Sequence, residues 1–344
     1  MAKKETTAGW KKLRQDIANQ STGRLYLFYG EERYLLQHYK DELIRALVGD
    51  NMPEFNLIEL SGKVSAETIV EAVDAYPVMS ERKLVVVSDF DIFRADEATK
   101  SKLAALFDDL PEHCCLLFLF PAEFKPDKRL KLYQAAARAG EVIEFTRPER
   151  HDLIAWIKRR FRAQERTIDT PLCEYLIFYC GGLMQALIPE IDKIAAYTRR
   201  AEVRREDIDA VATPNAEAVV FDLTDALVSR QYEKALSILE KLMMLGEEPI
   251  ALLALIGRQM RQLYAACLLR QRGRGTAELM RMWGMRSEYP ARILFDAARG
   301  VTPAWARMAC TLCAEVDTKL KLGAKEEMLE YLIARLAACQ EGAV

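Results

Sequence analysis

The fold is indicated most directly by the run Leu25-Tyr26-Leu27-Phe28-Tyr29-Gly30-Glu31-Glu32-Arg33-Tyr34-Leu35-Leu36. Its apolar first half predicts a buried strand and its second half opens a helix, which is the succession that surrounds a phosphate-binding loop. Such a loop needs glycines whose N–H groups wrap the phosphates, a lysine for the outer phosphates and a hydroxyl for Mg²⁺. This turn contains no Gly-Lys-Ser/Thr, and the carboxylates of Glu31 and Glu32 would repel a nucleotide. The stretch therefore predicts the shape of an ATPase without its chemistry, which indicates a subunit that binds partners.

The first 145 residues continue this alternation of strands and helices. Near-continuously apolar strands separated by helices predict an α/β domain with a five-stranded, mostly parallel sheet that is covered on both faces. The predicted helices are residues 34–47, 66–75, 98–107 and 129–139. The predicted strands are Leu25 to Tyr29, Phe55 to Leu60, Leu84 to Val87, Cys114 to Phe120 and Glu141 to Phe145.

The rest of the chain predicts helices only. The β signals stop at Arg147-Pro148, and beyond them the apolar residues recur at helical spacing. Thr213-Pro214-Asn215-Ala216 marks a second junction. Farther on, Gly246 and Pro249 predict the end of one helix and the start of the next, and the run from Arg270 to Gly275 predicts an exposed loop. The pattern predicts three domains, at residues 1–146, 147–212 and 213–344.

Composition excludes several classes of protein. The chain has 344 residues, and 51% of them are hydrophobic, yet no apolar run approaches the ~18 residues that a membrane helix requires. The N-terminal residues lack the apolar segment of a secretory signal. We therefore expect a cytoplasmic protein that does not enter a membrane.

The eight cysteines and three histidines do not predict a metal site or a catalytic site. Cys310 and Cys313 form a C-x-x-C, but no second pair or neighbouring histidine completes a zinc site. Buried free thiols are the expected state in a reducing cytosol. His38, His113 and His151 are scattered along the chain. We therefore predict no catalytic residue, no cofactor and no metal.

The charge distribution is uneven. The net charge of −2 argues against wholesale attraction to nucleic acid, but the segment from Arg258 to Arg307 has ten arginines and no lysine against three acidic residues. That excess of seven positive charges predicts contact with phosphate or with an acidic partner surface. The candidates for contact with DNA or a partner are Arg258, Arg261, Arg270, Arg272 and Arg274.

Eight short motifs lie in a fixed order over the three predicted domains. They are Tyr26 to Glu32, Tyr76 to Val87, Cys114 to Phe120, Glu190 to Ile194, Arg205 to Ile208, Phe221 to Ala226, Leu245 to Ile250 and Glu315 to Gly323. Their order and spacing resemble the delta subunit family of bacterial DNA polymerase III, the clamp-loader subunits that open the sliding clamp. The resemblance covers almost the whole chain.

The resemblance implies both a fold and a function. The fold would be a degenerate AAA+ nucleotide-binding module, a helical lid domain and a C-terminal helical collar domain. The function would be to bind the sliding clamp and to promote or trap its open form for loading onto primed DNA. The resemblance also implies partners, namely ATPase subunits and a delta-prime subunit that join this chain in a hetero-oligomer. ATP turnover would belong to those partners, and polymerase activity to the DNA polymerase III holoenzyme.

The family carries its clamp-binding element between a helix and the third strand, which here implies the pair Val78-Met79 with flanking Tyr76, Pro77 and Ser80. Two apolar side chains on a protruding turn can enter an apolar pocket of the partner. The other interpretation is that the pair seals the core of its own domain. The family often has a bulkier aromatic pair at this position.

Two further functions remain open from the sequence. One is an active AAA+ ATPase with an unorthodox phosphate loop, in which Asp89 would end a Walker B-like strand and help to hold Mg²⁺. We interpret Asp89 instead as a turn or cap residue, because there is no nucleotide for it to serve. The other is a helical nucleic-acid-binding protein that uses the Arg258 to Arg307 segment.

Overall fold

The structure is a computed structural model, and it describes residues 2–244, 246, 248–325 and 327–341. The chain divides into two compact units. The first unit runs to Pro148 and also includes Leu183–Gln185, and the second holds Glu149–Gly182 and the residues from Ala186 onward. The division into three domains stays a prediction.

The first unit contains a five-stranded sheet in which every pair of neighbouring strands is parallel. The strand order is β2-β3-β4-β1-β5, so the strand that precedes the degenerate loop lies in the interior of the sheet. The predicted α/β sheet is confirmed. The strands are β1 Leu25–Tyr29, β2 Leu57–Ser61, β3 Lys83–Ser88, β4 Cys114–Leu119 and β5 Glu141–Glu144.

Helices cover both faces of this sheet because its three inner strands are apolar on both sides. Alternate residues such as Tyr26 and Phe28 face Leu13, Leu36 and other residues of α1 and α2, whereas the intervening strand residues face α4, α5 and α6. The helices of the first unit are α1 Ala2–Ala18, α2 Arg33–Leu47, α3 Pro53–Asn56, α4 Ala66–Asp74, α5 Glu97–Asp108 and α6 Lys131–Ala139.

One strand prediction was wrong at its start. Phe55 was predicted to open the second strand, but it lies in the one-turn helix α3, and β2 begins at Leu57. Pro53 occupies the first turn of α3, where its missing N–H and fixed φ are compatible with a helix. Apolar character alone did not distinguish a strand from this turn.

The described residues of the second unit contain helices and no strand. Their largest apolar core lies among the helices beyond Asn215. The helices are α7 Arg150–Ala163, α8 Thr170–Cys180, α9 Met184–Tyr197, α10 Arg205–Val211, α11 Ala216–Val228, α12 Tyr232–Met244, α13 Pro249–Gln271, α14 Thr276–Trp283, α15 Glu288–Ala297, α16 Pro303–Lys321 and α17 Met328–Glu341.

Two predicted helix ends in this unit can be compared with the structure. Gly246 follows α12 and has a φ of 79°, a positive value of the kind that glycine often adopts at the end of a helix. Leu245 and Glu247 of the same motif lie outside the described residues. The predicted loop from Arg270 starts later, because α13 extends through Gln271.

Over the described ranges, no single helix meets the length and apolarity of a membrane span, and only the bent pair of α8 and α9 does so when combined.

Candidate functional site

The turn after β1 is shaped by close packing of the backbone. Gly30 has a φ of 124°, and a Cβ atom built on it would lie 2.4 Å from the carbonyl oxygen of Phe145. Only glycine fits both constraints. The backbone N–H of Glu32 donates to the same carbonyl of Phe145 at 3.0 Å. This glycine is therefore explained by its approach to the chain after β5, without reference to phosphate.

The charged side chains of this turn have partners within the protein. Arg147 donates to Glu31 at 3.1 Å, and Arg33 donates to the carbonyl of Phe120 at 2.7 Å. Glu32 is completely buried, and one of its carboxylate oxygens accepts the backbone N–H of Met184 at 3.2 Å. Its other oxygen has no partner in the described part of the chain, and burial raises the pKa of this carboxyl. A buried acid thus stands where a phosphate-binding loop would present donors.

Asp89 lies just past the end of β3. It is exposed, and its φ of 56° places it in the left-handed region that turn residues adopt. This geometry is compatible with the interpretation of Asp89 as a turn residue.

The predicted clamp-binding turn, residues 76–80, lies between α4 and β3. Tyr76 is 82% exposed, Val78 40% and Met79 83%. Neither Val78 nor Met79 seals the core of the domain, since both side chains reach solvent. Met79 has a φ of 51°, an uncommon conformation for a residue with a side chain. The turn presents large apolar groups on a strained backbone.

Asn56 holds this turn in place. Its side chain is buried, and its amide makes two hydrogen bonds with the backbone of Val78: it donates to the carbonyl at 2.9 Å and accepts the N–H at 2.8 Å. The same amide donates to the carbonyl of Asn51 at 2.8 Å. One side chain therefore joins the segment before β2 to the turn before β3. Asn56 was not among the predicted site residues, although a lone Asn directly before an apolar strand is a signal for a turn bond.

The C-terminal side of the turn is fixed by two basic residues that point inward. Arg82 donates to the backbone carbonyls of Thr22 and Gly23 at 3.0 and 2.9 Å. Lys83 is completely buried, and its ammonium group donates to the carbonyls of Ala72, at 2.5 Å, and Ala75 at the end of α4. Burial lowers the pKa of Lys83. These anchors were not predicted from the sequence, because the burial of a charged side chain depends on partners that are distant in the chain.

The turn lies at the amino ends of the strands. Asn56 precedes β2, Arg82 precedes β3, and His113, on which Tyr76 stacks with ring centroids 4.7 Å apart, precedes β4. The degenerate loop and Asp89 follow β1 and β3 at the carboxyl ends. The exposed apolar turn is thus on the edge opposite to the one where α/β sheets bind nucleotides. Its arrangement is suited to binding a protein surface.

The candidate arginines of the second unit are all exposed. Arg258 lies 3.7 Å from Glu217 and Arg274 lies 3.7 Å from Glu278, both as surface ion pairs, which contribute little to stability. Arg261, Arg270 and Arg272 have no acidic partner within 4 Å among the described residues. Of the arginines in the predicted loop, Arg272 and Arg274 follow the helix, whereas Arg270 lies in the last turn of α13.

The cysteines are free thiols, and six of the eight are buried. Burial raises the pKa of Cys115 and Cys313 to about 12, so these thiols stay protonated and unreactive at neutral pH. Cys310 and Cys339 are half-buried. In the described ranges, no three His, Cys, Asp or Glu side chains are grouped as a metal site would require.

The fold and the loop define a class of protein, one whose parallel α/β unit lacks the residues of a phosphate-binding loop and is followed in the chain by helices. Two family models match the chain. One is described as DNA polymerase III, delta subunit, and matches residues 26–146, and the other is described as its C-terminal domain and matches residues 217–336. Together they cover more than half of the sequence. The chain belongs to the DNA polymerase III delta subunit family.

Individual relatives agree with this assignment. The DNA polymerase III subunit delta of Bacillus subtilis (strain 168) is 24% identical over 330 residues, which are 93% of each chain. The subunit delta of Escherichia coli (strain K12) is 20% identical over 70% of each chain. The solved structure of the Bacillus subtilis DNA clamp loader delta protein matches with a TM-score of 0.52 and 22% identity, over 95% of this chain and 99% of that one. This structural likeness shows a shared fold.

Proposed function

We propose that the chain binds the sliding clamp through Val78 and Met79 and promotes or traps the open form of the ring for loading onto primed DNA. The observation that carries this proposal is the exposed apolar pair on a turn whose backbone is held by a buried amide. A rigid apolar turn can enter a pocket without a large loss of conformational entropy. The likeness to the Bacillus subtilis DNA clamp loader delta protein supports the same assignment.

The mechanism is differential binding. A subunit that binds the open ring more tightly than the closed ring shifts the equilibrium toward the open form by the difference between those affinities. No covalent step is required of this chain. ATP turnover belongs to partner ATPase subunits of the loader, which we propose to assemble with this chain and a delta-prime subunit in the cytoplasm.

The clamp-binding proposal is tested by truncating the exposed pair. In the full chain, Val78→Ala with Met79→Ala is expected to weaken clamp binding by about 2 to 4 kcal/mol, which is ~30- to ~700-fold in Kd. The fold should persist, because both side chains are exposed. Calorimetry with the purified clamp gives the affinity, and thermal melting serves as the control. Unchanged affinity in a folded double variant would place the clamp contact elsewhere.

The degenerate loop leads to a second test. Because Glu31, Glu32 and Arg33 engage protein partners and no Lys stands in the turn, we expect no binding of ATP with Mg²⁺. Titration calorimetry checks this directly. Saturable binding at micromolar ATP would instead support the active ATPase.

The helical collar is proposed to mediate assembly. Arg270 and Arg272 lie exposed at the end of α13 and have no acidic partner in the described chain, so they are available to an acidic surface or to phosphate. Replacing both with Gln is expected to reduce incorporation into the loader complex on a sizing column or to reduce its affinity for primed DNA. Clamp binding by the isolated chain should stay unchanged, since these residues lie outside the first unit.

A further inference from the structure

Two more apolar side chains are exposed near the clamp-binding turn. Phe55 is 55% exposed and Met52 is 39% exposed. They lie in the segment 51–56, which contains α3 and ends at Asn56. A single exposed apolar side chain is ordinary, but a cluster of large exposed apolar groups marks an interaction surface.

The segment 51–56 lies beside the clamp-binding turn. The amide of Asn56 bonds to the carbonyl of Asn51 in its own segment and to the backbone of Val78 in the turn. The strands that follow the two segments are adjacent, with Leu57 paired with Leu84, and neighbouring strands are about 4.8 Å apart. The exposed groups of both segments therefore lie at the same end of the sheet, where its strands begin.

The backbone of both segments is held in an uncommon conformation at a methionine. Met52 has a φ of 46° and Met79 a φ of 51°, both in the left-handed region. A residue with a side chain occupies this region at a cost, and such strain persists where the surrounding structure imposes it, often at binding sites. In both segments the hydrogen bonds of Asn56 lie next to the strained residue.

The charged side chains within the two segments have one sign. The segments 50–56 and 74–81 carry Asp50, Glu54, Asp74 and Glu81, all exposed, and contain no lysine or arginine. Arg82 and Lys83, which follow, point inward to backbone carbonyls. The apolar groups are thus bordered by carboxylates, and a complementary partner would carry an apolar cleft with basic side chains at its rim.

We propose that Met52 and Phe55 form, together with Val78 and Met79, one clamp-binding surface, and that it docks into an apolar cleft of the clamp that is bordered by lysine or arginine side chains. This inference rests on the proposed function. Phe55 supplies an aromatic anchor beside the aliphatic pair, and aromatic side chains are frequent among the residues that dominate binding energy. The carboxylate rim speeds association and orients the two proteins.

The test uses the full chain and the purified sliding clamp in a surface-binding assay. Phe55→Ala is expected to raise Kd about 5- to 30-fold, with an unchanged melting temperature. Tyr197→Ala is the matched control, because Tyr197 is an equally exposed aromatic residue of the second unit, and it should leave Kd unchanged. Phe55→Lys keeps a long side chain but places a positive charge against a basic rim, so it should weaken binding at least as much.

The charge of the partner is tested separately. Glu54→Lys should lower the association rate, and the affinity of the unmodified chain should fall as the salt concentration rises from about 50 mM to about 500 mM. Tighter binding by Glu54→Lys would refute the proposal that lysine or arginine side chains border the cleft of the clamp.

The outcomes separate this inference from the proposed function. If Phe55→Ala and Phe55→Lys both bind normally while the Val78 and Met79 double variant binds weakly, the extended surface is refuted and the turn remains. If all three variants bind normally, the proposed clamp site fails as well. Weakening by the Phe55 variants, with normal binding by Tyr197→Ala, supports the inference.

Discussion

Asn56→Ala offers the sharpest test of how the turn that we propose to bind the clamp, residues 76–80, is held in place. The substitution removes three hydrogen bonds, two with the backbone of Val78 and one with Asn51. At about 1 kcal/mol for each net hydrogen bond, the free energy of unfolding should fall by ~3 kcal/mol. Because Asn56 is buried, the backbone groups of Val78 and Asn51 would lose their partner without full access to water. The decrease in unfolding free energy should therefore be close to this value.

The same substitution should also weaken clamp binding. Without Asn56 the turn samples several conformations, and the partner must select or order the one that exposes Val78 and Met79 correctly. A tenfold increase in Kd corresponds to about 1.4 kcal/mol, and we expect an effect of this order. Because Asn56 acts through the pair, its effect should largely disappear in the background of Val78→Ala with Met79→Ala.

The assay combines urea denaturation with clamp affinity for the single, double and triple variants. Asn51→Ala is the matched control: Asn51 is exposed and takes part through its backbone carbonyl, so its side chain should be dispensable. A purely structural role for Asn56 predicts the loss of stability with an unchanged Kd. If the loss of affinity adds fully to that of the double variant, Asn56 does not act by positioning Val78 and Met79. If the free energy of unfolding is unchanged, the three hydrogen bonds do not stabilise the fold as we expect.

Three further predictions concern the first unit. Glu32→Gln should stabilise the fold at about pH 8 and lose this advantage as the pH falls toward 4.5. The pKa of the buried Glu32 carboxyl in the folded state lies above its unfolded value of 4.5. The stability that the protonated carboxyl contributes is therefore fully present below pH 4.5 and is lost as the pH rises through the folded pKa. Urea denaturation across this pH range checks the sign of the slope. Lys83→Met keeps most of the volume but removes both donors to the carbonyls at the end of α4, and should cost about 1 to 3 kcal/mol of unfolding free energy. Gly30→Ala combines a positive φ with a clash against the chain after β5, and should cost at least about 3 kcal/mol or prevent folding, as a thermal melt would show.

The sequence predicted the sheet because its signal is local. The apolar runs from Leu25 to Tyr29 and from Cys114 to Phe120 match observed strands within one residue, since strands buried on both faces are almost continuously apolar. The absence of a Gly-Lys-Ser/Thr turn is likewise a property of residues that are adjacent in the chain. Phe55 shows the limit of such signals: its apolarity fits a strand, yet it lies exposed in a helical turn.

The sequence alone predicts the succession of elements, the degenerate loop and the position of an apolar pair after a proline. The three-dimensional fold was needed to show that this pair is exposed, that Asn56 joins it to a segment 22 residues away, and that Lys83 is buried as an anchor. Burial and hydrogen bonding depend on which segments meet. Parallel strands bring the residues before β2, β3 and β4 to one edge of the sheet although they are far apart in the chain, and no local pattern records that proximity.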